Sequence, residues 1–325
     1  MKCSVVIPVY NADKTIEACV NSLLGASDIE IILVNDGSLD NSRNICEKLS
    51  AENECVFLIN QQNKGVSAAR NIGVQNARGE YILFVDADDK VEPGFMNALN
   101  CKETPDIIIC RYNDIHNMDI KEHLYSREGF SNQNGEIGEL LAVCNLAYVW
   151  GKFFRKSIIK EHDIIFDTDL CYGEDSLFVL SYCRYIKSCL ATNKFVYLYS
   201  IDDESSLSRK FVKDLDDAIK KKQEMRKEVF YRFPTYKKRY MQWCPNPNLS
   251  AARMRIRNIF RKGSPIKDFN DQCEYVGRIY SDSSTKPYSI NYMCNSKIDY
   301  IYNLLFILRI PALTVIVCRI LFRFK

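Results

Sequence analysis

Hydrophobic positions in the first third of the chain alternate between two patterns. Short runs apolar at every position read as strands buried on both faces. Between them, apolar residues return every three or four positions, the period of a helix packed on one side. Val5-Val6-Ile7 is the first run, stopped by Pro8. Ala12, Ile16, Val20, Leu23 and Leu24 follow at helical spacing, with Asn11 or Asp13 as N-cap. Ile29–Val34 is the second run, ended by the turn sequence Asn35-Asp36-Gly37-Ser38. Val56–Ile59 is the third, with a helix near Val66–Val74, and Tyr81–Val85 is the fourth, cut off by Asp86. Asp106–Cys110 reads as a further strand. This alternation predicts an α/β fold with a parallel sheet covered on both faces.

Residues 111–146 are polar and less periodic, the pattern of a connection. Apolar content returns at Tyr148–Phe154, at Ile164–Phe166, in a helix-like stretch over 176–187 and in a strand-like Phe195–Tyr199. The segment 209–262 is helical in period, and the most apolar stretch of all runs from Tyr300 to Lys325. Charge sharpens this division. Residues 1–208 carry 19 Lys and Arg against 31 Asp and Glu, residues 209–262 carry 17 against 5, and residues 263–325 carry 8 against 5. The chain thus reads as an acidic domain over 1–208, with halves meeting near residue 110, and a basic helical region over 209–325 that meets something anionic.

At 325 residues, 47% hydrophobic and 26% charged, the composition is that of a folded globular protein and excludes a disordered, fibrous or polytopic membrane chain. The 14 cysteines are scattered without a CxxC pair, and three histidines supply a zinc site poorly, so free thiols in a reducing cytoplasm are expected. Met1-Lys2-Cys3 leads directly into the first strand, and no secretory leader is expected.

In an open parallel sheet, ligands bind at the carboxyl ends of the strands. Polar residues gather there: Pro8-Val9-Tyr10-Asn11, Asn35-Asp36-Gly37-Ser38 and Asp86-Ala87-Asp88-Asp89. So acidic a rim admits an anionic substrate when a cation mediates. Two carboxylates two residues apart after a buried strand suit a hard divalent ion on a diphosphate. Without a ligand, Asp86 caps a turn and Asp88 is simply solvated. No GxxxxGK[ST] loop is present and no GxGxxG follows the first strand, which removes the main support for ATPase and dinucleotide chemistry. Gly37 and Gly65 sit at strand-to-helix junctions, where turn geometry accounts for them.

Four motifs occur in order: Ser4-Val5-Val6-Ile7-Pro8-Val9-Tyr10-Asn11, Val34-Asn35-Asp36-Gly37-Ser38, Asn63-Lys64-Gly65-Val66-Ser67-Ala68-Ala69-Arg70-Asn71 and Phe84-Val85-Asp86-Ala87-Asp88-Asp89. Together they resemble the signature of family 2 glycosyltransferases over residues 3–90. Weaker matches follow at Trp150-Gly151-Lys152-Phe153-Phe154-Arg155, at Gly173-Glu174-Asp175-Ser176-Leu177-Phe178, and at Tyr197-Leu198-Tyr199 leading to Ser205-Ser206-Leu207-Ser208. The resemblance implies a GT-A fold, a Rossmann-like nucleotide-diphospho-sugar transferase, and inverting transfer from a nucleotide sugar.

Carried over by position, the resemblance implies that Pro8, Val9 and Tyr10 line the nucleoside pocket. Asp36 would take hydrogen bonds from the base or ribose. In the Asp86-Ala87-Asp88 donor motif, Asp86 would contact the ribose side and Asp88 would ligate Mn²⁺ or Mg²⁺. Lys64 and Arg70 would contact phosphate or sugar, or pair with the acidic rim. Asp175 would be the base that deprotonates the acceptor hydroxyl, with Glu174 as fallback. Trp150 would stack on an acceptor pyranose or fill the core. The motif usually has Asn where this chain has Gly151. His116, His123 and His162 match no family motif.

The basic tail points to an anionic membrane surface. Lys220-Lys221-Lys222, Lys237-Lys238-Arg239 and Arg253, Arg255, Arg257, Arg261 and Lys262 can face anionic headgroups. In the terminal run Ile301–Phe324, which Pro311 interrupts in the middle, Arg309, Arg319 and Arg323 lie within about 80° on a helical wheel and share the run with Leu304, Leu305, Ile316 and Leu321. That describes a helix lying in the interface rather than one spanning the bilayer or packing within the protein. Nucleic acid is not expected as a partner. The expected enzyme is a cytoplasmic glycosyltransferase, peripheral at the inner face of the cell membrane. It would extend a lipid-linked saccharide for capsule, O-antigen or exopolysaccharide, from a donor such as UDP-hexose or UDP-HexNAc. A polyprenyl-phosphate sugar synthase and a catalytically idle saccharide-binding module are the alternatives.

Overall fold

The computed structural model describes residues 1–114, 128–144, 146–200, 210–287 and 297–323. His116, His123, the Ser205–Ser208 motif and the boundary expected near residue 208 lie outside the described residues. By its contacts the chain divides into two units, Met1–Ile201 with Lys221–Tyr236, and Asp202–Lys220 with Lys237–Lys325.

The first unit begins with the expected alternation. Strand β1 (Cys3–Val9) leads to helix α1 (Ile16–Leu23), β2 (Ile29–Asp36) to α2 (Ser42–Glu52), β3 (Val56–Gln61) to α3 (Val66–Asn76), and β4 is Tyr81–Phe84. There follow β5 (Lys90–Val91), β6 (Ile107–Asp114), β7 (Gly129–Ser131), α4 (Asn134–Val143), β8 (Lys152–Arg155), α5 (Lys156–Glu161), α6 (Glu174–Cys183) and β9 (Cys189–Tyr199). Every residue of β2 is buried, as its unbroken apolar run requires for a strand covered on both faces.

The sheet runs β3-β2-β1-β4-β8-β6-β9-β5, with β7 beside β9. Strands β1 to β4 pair in parallel, but β8 lies antiparallel between β4 and β6, so the sheet is mixed rather than parallel throughout. An antiparallel strand needs no crossover helix, and β8 enters from the turn at Trp150-Gly151. Neither Asn11 nor Asp13 caps α1; the N-cap position is Thr15, without a side-chain bond. Asn11 turns instead toward the neighbouring loop, where its Oδ1 accepts from Leu39 N at 2.8 Å.

Helix α7 (Leu215–Arg232) contributes to both units, its residues from Lys221 belonging to the first. The second unit continues after α8 (Pro234–Trp243) with α9 (Pro247–Ile259), α10 (Phe269–Ser281), α11 (Lys297–Leu308) and α12 (Pro311–Arg323). Asn246 caps α9 by accepting from Leu249 N, and Asp268 caps α10 by accepting from Asn270 N and Asp271 N. Leu249, Ile256, Val276, Tyr280, Tyr302, Phe306, Val315 and Cys318 build one core from all four helices.

The tail therefore differs from the single interfacial helix that the sequence suggested. Pro311 divides the run: α11 stops at Leu308, Arg309 takes φ +53°, and α12 starts afresh at Pro311. The charged stripe cannot form on one helix. Arg309 instead donates to Tyr280 O and Asp282 O, and Arg319 to Gln272 Oε1 and Lys267 O. Arg253 and Arg257 pair with Asp299, and Arg255 pairs with Asp216 at 2.5 Å. Five arginines of the tail are thus engaged by carboxylates, carbonyls and an amide of its own unit. No helix among the described residues is long and apolar enough to cross a membrane.

Deleting residues 297–323 should consequently unfold the second unit, because Tyr302, Phe306, Val315 and Cys318 leave its core. Phe306→Ala alone should cost about 3–5 kcal/mol, read by thermal or urea denaturation. A truncated chain that keeps its cooperative unfolding and remains monomeric would contradict this.

Candidate active site

The carboxyl ends of β1 and β2 are joined before any ligand is considered. Asn11 N donates to Ser38 Oγ, Ala12 N to Ser42 Oγ and Asp13 N to Asp40 Oδ2. Tyr10 is exposed beside this seam, Pro8 is half-buried, and the Val9 side chain is fully buried in the core. Val9 thus belongs to the sheet packing and lines no pocket with its side chain. Asp36, the last residue of β2, is also buried. Its Oδ1 accepts from Gln61 Nε2 at 2.6 Å and Lys64 N at 2.8 Å, and its Oδ2 accepts from Gly65 N at 2.8 Å. Asp36 therefore fixes the loop that enters α3. The Lys64 side chain is exposed.

One turn into α3 lies Arg70, only 4% exposed. Its guanidinium donates to Asp175 Oδ1 at 2.6 Å and to Asp86 Oδ1 at 2.8 Å, lies 3.7 Å from Glu174 Oε1, and covers the Phe166 ring at 5.3 Å. Arg70 thus pairs with the acidic rim. It meets in Asp175 a residue 105 positions further along the chain. The next residue, Asn71, clamps the same region by donating to Phe166 O and accepting from Phe166 N, at 2.9 and 2.8 Å.

Burial weakens the ionised form of Asp175 and Glu174. It raises the pKa of Asp175, against the pull of Arg70, and with Asp175's charge it pushes Glu174 up to about 6. Asp175 Oδ2 also accepts from Val149 N at 3.4 Å, which ties the first turn of α6 to the Tyr148–Lys152 segment.

Around Asp86-Ala87-Asp88-Asp89, Ala87 is buried and Asp88 is exposed. Asp89 is buried, and desolvation pushes its pKa up to about 8. It accepts from Tyr197 OH at 2.5 Å and Ser200 N at 2.7 Å, and Tyr197 OH in turn accepts from Asp86 N at 3.1 Å. Among the described residues no group of three His, Cys, Asp or Glu side chains converges to hold a metal ion. Asp86 is engaged by Arg70 and Asp89 by Tyr197, and the exposed Asp88 is a carboxylate that could hold a cation. Such an ion would draw its remaining ligands from substrate phosphate and water, a donor set that suits Mg²⁺ or Mn²⁺.

Trp150 is not an open stacking platform. It is 5% exposed, nearly parallel to Tyr148 and Tyr197 with ring centres 4.6 and 5.0 Å away, and edge-on to Tyr112 at 4.5 Å. Its rings belong to a packed aromatic group, in which Tyr148 is the exposed member. Lys152, buried and with its pKa pushed down to about 8, donates to Tyr148 O at 2.8 Å and so holds the segment's shape. Gly151 takes φ +67°, a conformation that glycine and asparagine adopt more readily than other residues, so the exchange of Asn for Gly leaves the turn unstrained. His162 stacks on Tyr185 at 3.7 Å, apart from these groups. Sequence reading did not single out Asn71, Asp89, Tyr148, Lys152 or Tyr197 for these roles. Their signal was adjacency to quoted motifs, since each lies inside or beside one.

Through Arg70 a strand-end acidic rim is joined to a helix-borne carboxylate. Residues 4–160 match glycosyl transferase family 2. The chain is 32% identical over 240 residues to the uncharacterized glycosyltransferase EpsJ of Bacillus subtilis (strain 168), covering 70% of this chain and 69% of that one. The chain belongs to glycosyl transferase family 2 and is a glycosyltransferase. In architecture it resembles S. aureus TarS 1–349, solved in complex with UDP-GlcNAc, with TM-score 0.62 at 17% identity over 99% of this chain and 92% of that one. It also resembles the mannosyltransferase PcManGT of Pyrobaculum calidifontis, solved with GDP-Man and Mn²⁺, with TM-score 0.50 at 13% identity over 98% and 87%. The fold is GT-A.

Glu174 yields a test by pH. Its folded-state pKa, about 6, exceeds its ordinary 4.5, so the folded protein binds this proton more tightly than the unfolded chain. The stabilisation is complete below 4.5 and is lost as pH rises through about 6. Urea midpoints should fall across that interval, and Glu174→Gln should flatten the fall. Identical pH dependence in the two proteins would refute the assignment.

Proposed function

We propose that the chain catalyses inverting transfer of a sugar from a nucleotide-diphospho-sugar, UDP-hexose or UDP-HexNAc, to a hydroxyl of a lipid-linked saccharide in bacterial surface polysaccharide synthesis. The observation that carries this reading is the Arg70 bridge, which holds donor-side Asp86 and base candidate Asp175 in one site. Support also comes from the glycosyltransferase named above and from the nucleotide sugars bound by the two structural neighbours.

In this mechanism Asp175 takes the acceptor hydroxyl proton as the oxygen attacks the anomeric carbon opposite the diphosphate. One C–O bond forms, the C–O bond to phosphate breaks, and its electron pair leaves with the nucleoside diphosphate. A carboxyl whose pKa is raised toward neutrality is the better base, and burial raises that of Asp175. Arg70 holds Asp175 in orientation and opposes its protonation. The exposed Tyr10 and half-buried Pro8 flank the nucleoside, and Asp36 shapes the loop beneath it. Asp88 would hold Mg²⁺ or Mn²⁺, which supplies charge neutralisation at the diphosphate.

Asp175→Asn should lower kcat by about 10²–10⁴ with donor affinity little changed, whereas Glu174→Gln should retain most activity. The reverse ranking would move the base to Glu174. Asp88→Ala should abolish chelator-sensitive transfer, and full activity in excess EDTA would remove the metal role.

The membrane surface is the second part of the proposal, now on a different footing. With those five arginines engaged internally, its support is the set of exposed apolar side chains spaced four residues apart: Tyr300, Leu304 and Leu308 on α11, and Ile316 and Ile320 on α12. A lipid headgroup boundary covers such stripes, and Lys237, Lys238 and Lys262 remain exposed to favour anionic lipid. Leu304→Glu with Ile316→Glu should abolish flotation with anionic vesicles while leaving the thermal midpoint nearly unchanged. Undiminished flotation would refute the stripe.

A further inference from the structure

The sequence assigned the lysines of α7 to a membrane surface, yet Lys222 lies in the catalytic unit. Its side chain packs over Gly173: a Cβ there would come within 3.0 Å of the ammonium nitrogen and within 3.2 and 3.3 Å of the last two methylenes. Gly173 has φ +79°, so both its conformation and its missing side chain make room for Lys222. The ammonium also lies 5.2 Å from the centre of the Tyr172 ring. A half-buried cation therefore stands against the residues that lead directly into Glu174 and Asp175.

That cation is poorly compensated. Burial first, then Arg226 one turn along the same helix, push its pKa down to about 8, while Glu174 pulls the other way. Like charges four apart on a helix repel. Neighbouring Lys221, by contrast, is held by Asp167 at 2.5 Å. An anionic ligand would stabilise Lys222 and would lie beside Gly173, two residues before the base.

We propose that Lys222 is an acceptor-recognition residue that binds an anionic substituent, phosphate or carboxylate, on the saccharide whose hydroxyl reaches Asp175. This rests on the transferase reading above and narrows its acceptor to a negatively charged saccharide. The anion is assigned to the acceptor because Lys222 packs on Tyr172 and Gly173, which lead into the base Asp175, whereas the donor's diphosphate belongs with Asp86 and Asp88 at the end of β4.

The test uses the full chain with UDP and Mg²⁺ present and three simple probes: methyl glucoside, glucose 1-phosphate and glucuronate, compared by saturation-transfer NMR. The two anionic sugars should bind about tenfold or more tightly than the neutral one, the gain of one charge-assisted contact. Lys222→Met should remove that difference and Lys222→Arg should keep most of it. Should Lys222→Met not fold, Lys222→Gln reads the same difference. Equal binding of the three sugars by the wild type overturns the proposal. So does a Lys222→Met protein that loses affinity for UDP and still discriminates among the sugars, since the anion is then the donor's. Hydrolysis of UDP-sugars by the wild type separates the two readings: a chain that cleaves no donor refutes the transferase, and one that cleaves donor without preferring anionic sugars refutes only the role of Lys222.

Discussion

A single buried guanidinium governs the site. Arg70 faces Asp86, Asp175 and Glu174 together, so one positive charge answers three negative ones in a place largely closed to water. A buried ion left without its partner costs roughly 3–5 kcal/mol, so α3, the end of β4 and the start of α6 are bound to one another by that constraint. It also leaves the site short of positive charge. In the proposed reaction a cation would make up that deficit beside the diphosphate.

The parallel half of the sheet was legible because nothing competes with its pattern. β2 is buried along its whole length, so its residues had to be apolar without alternation, and the run Ile29–Val34 says so. The order of β8, β6 and β9 was not legible. Their register depends on the turn at Gly151 and on residues far apart in the chain, such as Ile107 and Phe154, and no local periodicity encodes it.

Motifs located the site better than they assigned its side chains. Val9 lies in a motif yet points into the core, and Trp150 lies in a motif yet has its rings covered by tyrosines. In both places the surrounding backbone follows the strand end or the turn, while the side chain serves packing. Asp36 serves support as well: its oxygens accept from Gln61, Lys64 and Gly65 and so shape the loop between β3 and α3. A motif records that a residue is needed and not whether it is needed for contact or for support.

Charge counted along a sequence is equally silent about partners. The basic segment has an excess of cations, but Asp299 alone answers Arg253 and Arg257, and backbone carbonyls answer Arg309. Helical wheels assume that the helix continues, and Pro311 with the left-handed Arg309 ends it. Once the internal pairs are set aside, each remaining cation has to be judged by its own surroundings. Lys222 matters for that reason: it packs on Gly173, two residues before the base, with Arg226 one turn away. Exposed apolar stripes on α11 and α12 likewise become informative only after the buried faces of those helices have been assigned to the core. In both cases function is read from what remains after folding has used its share of the chemistry.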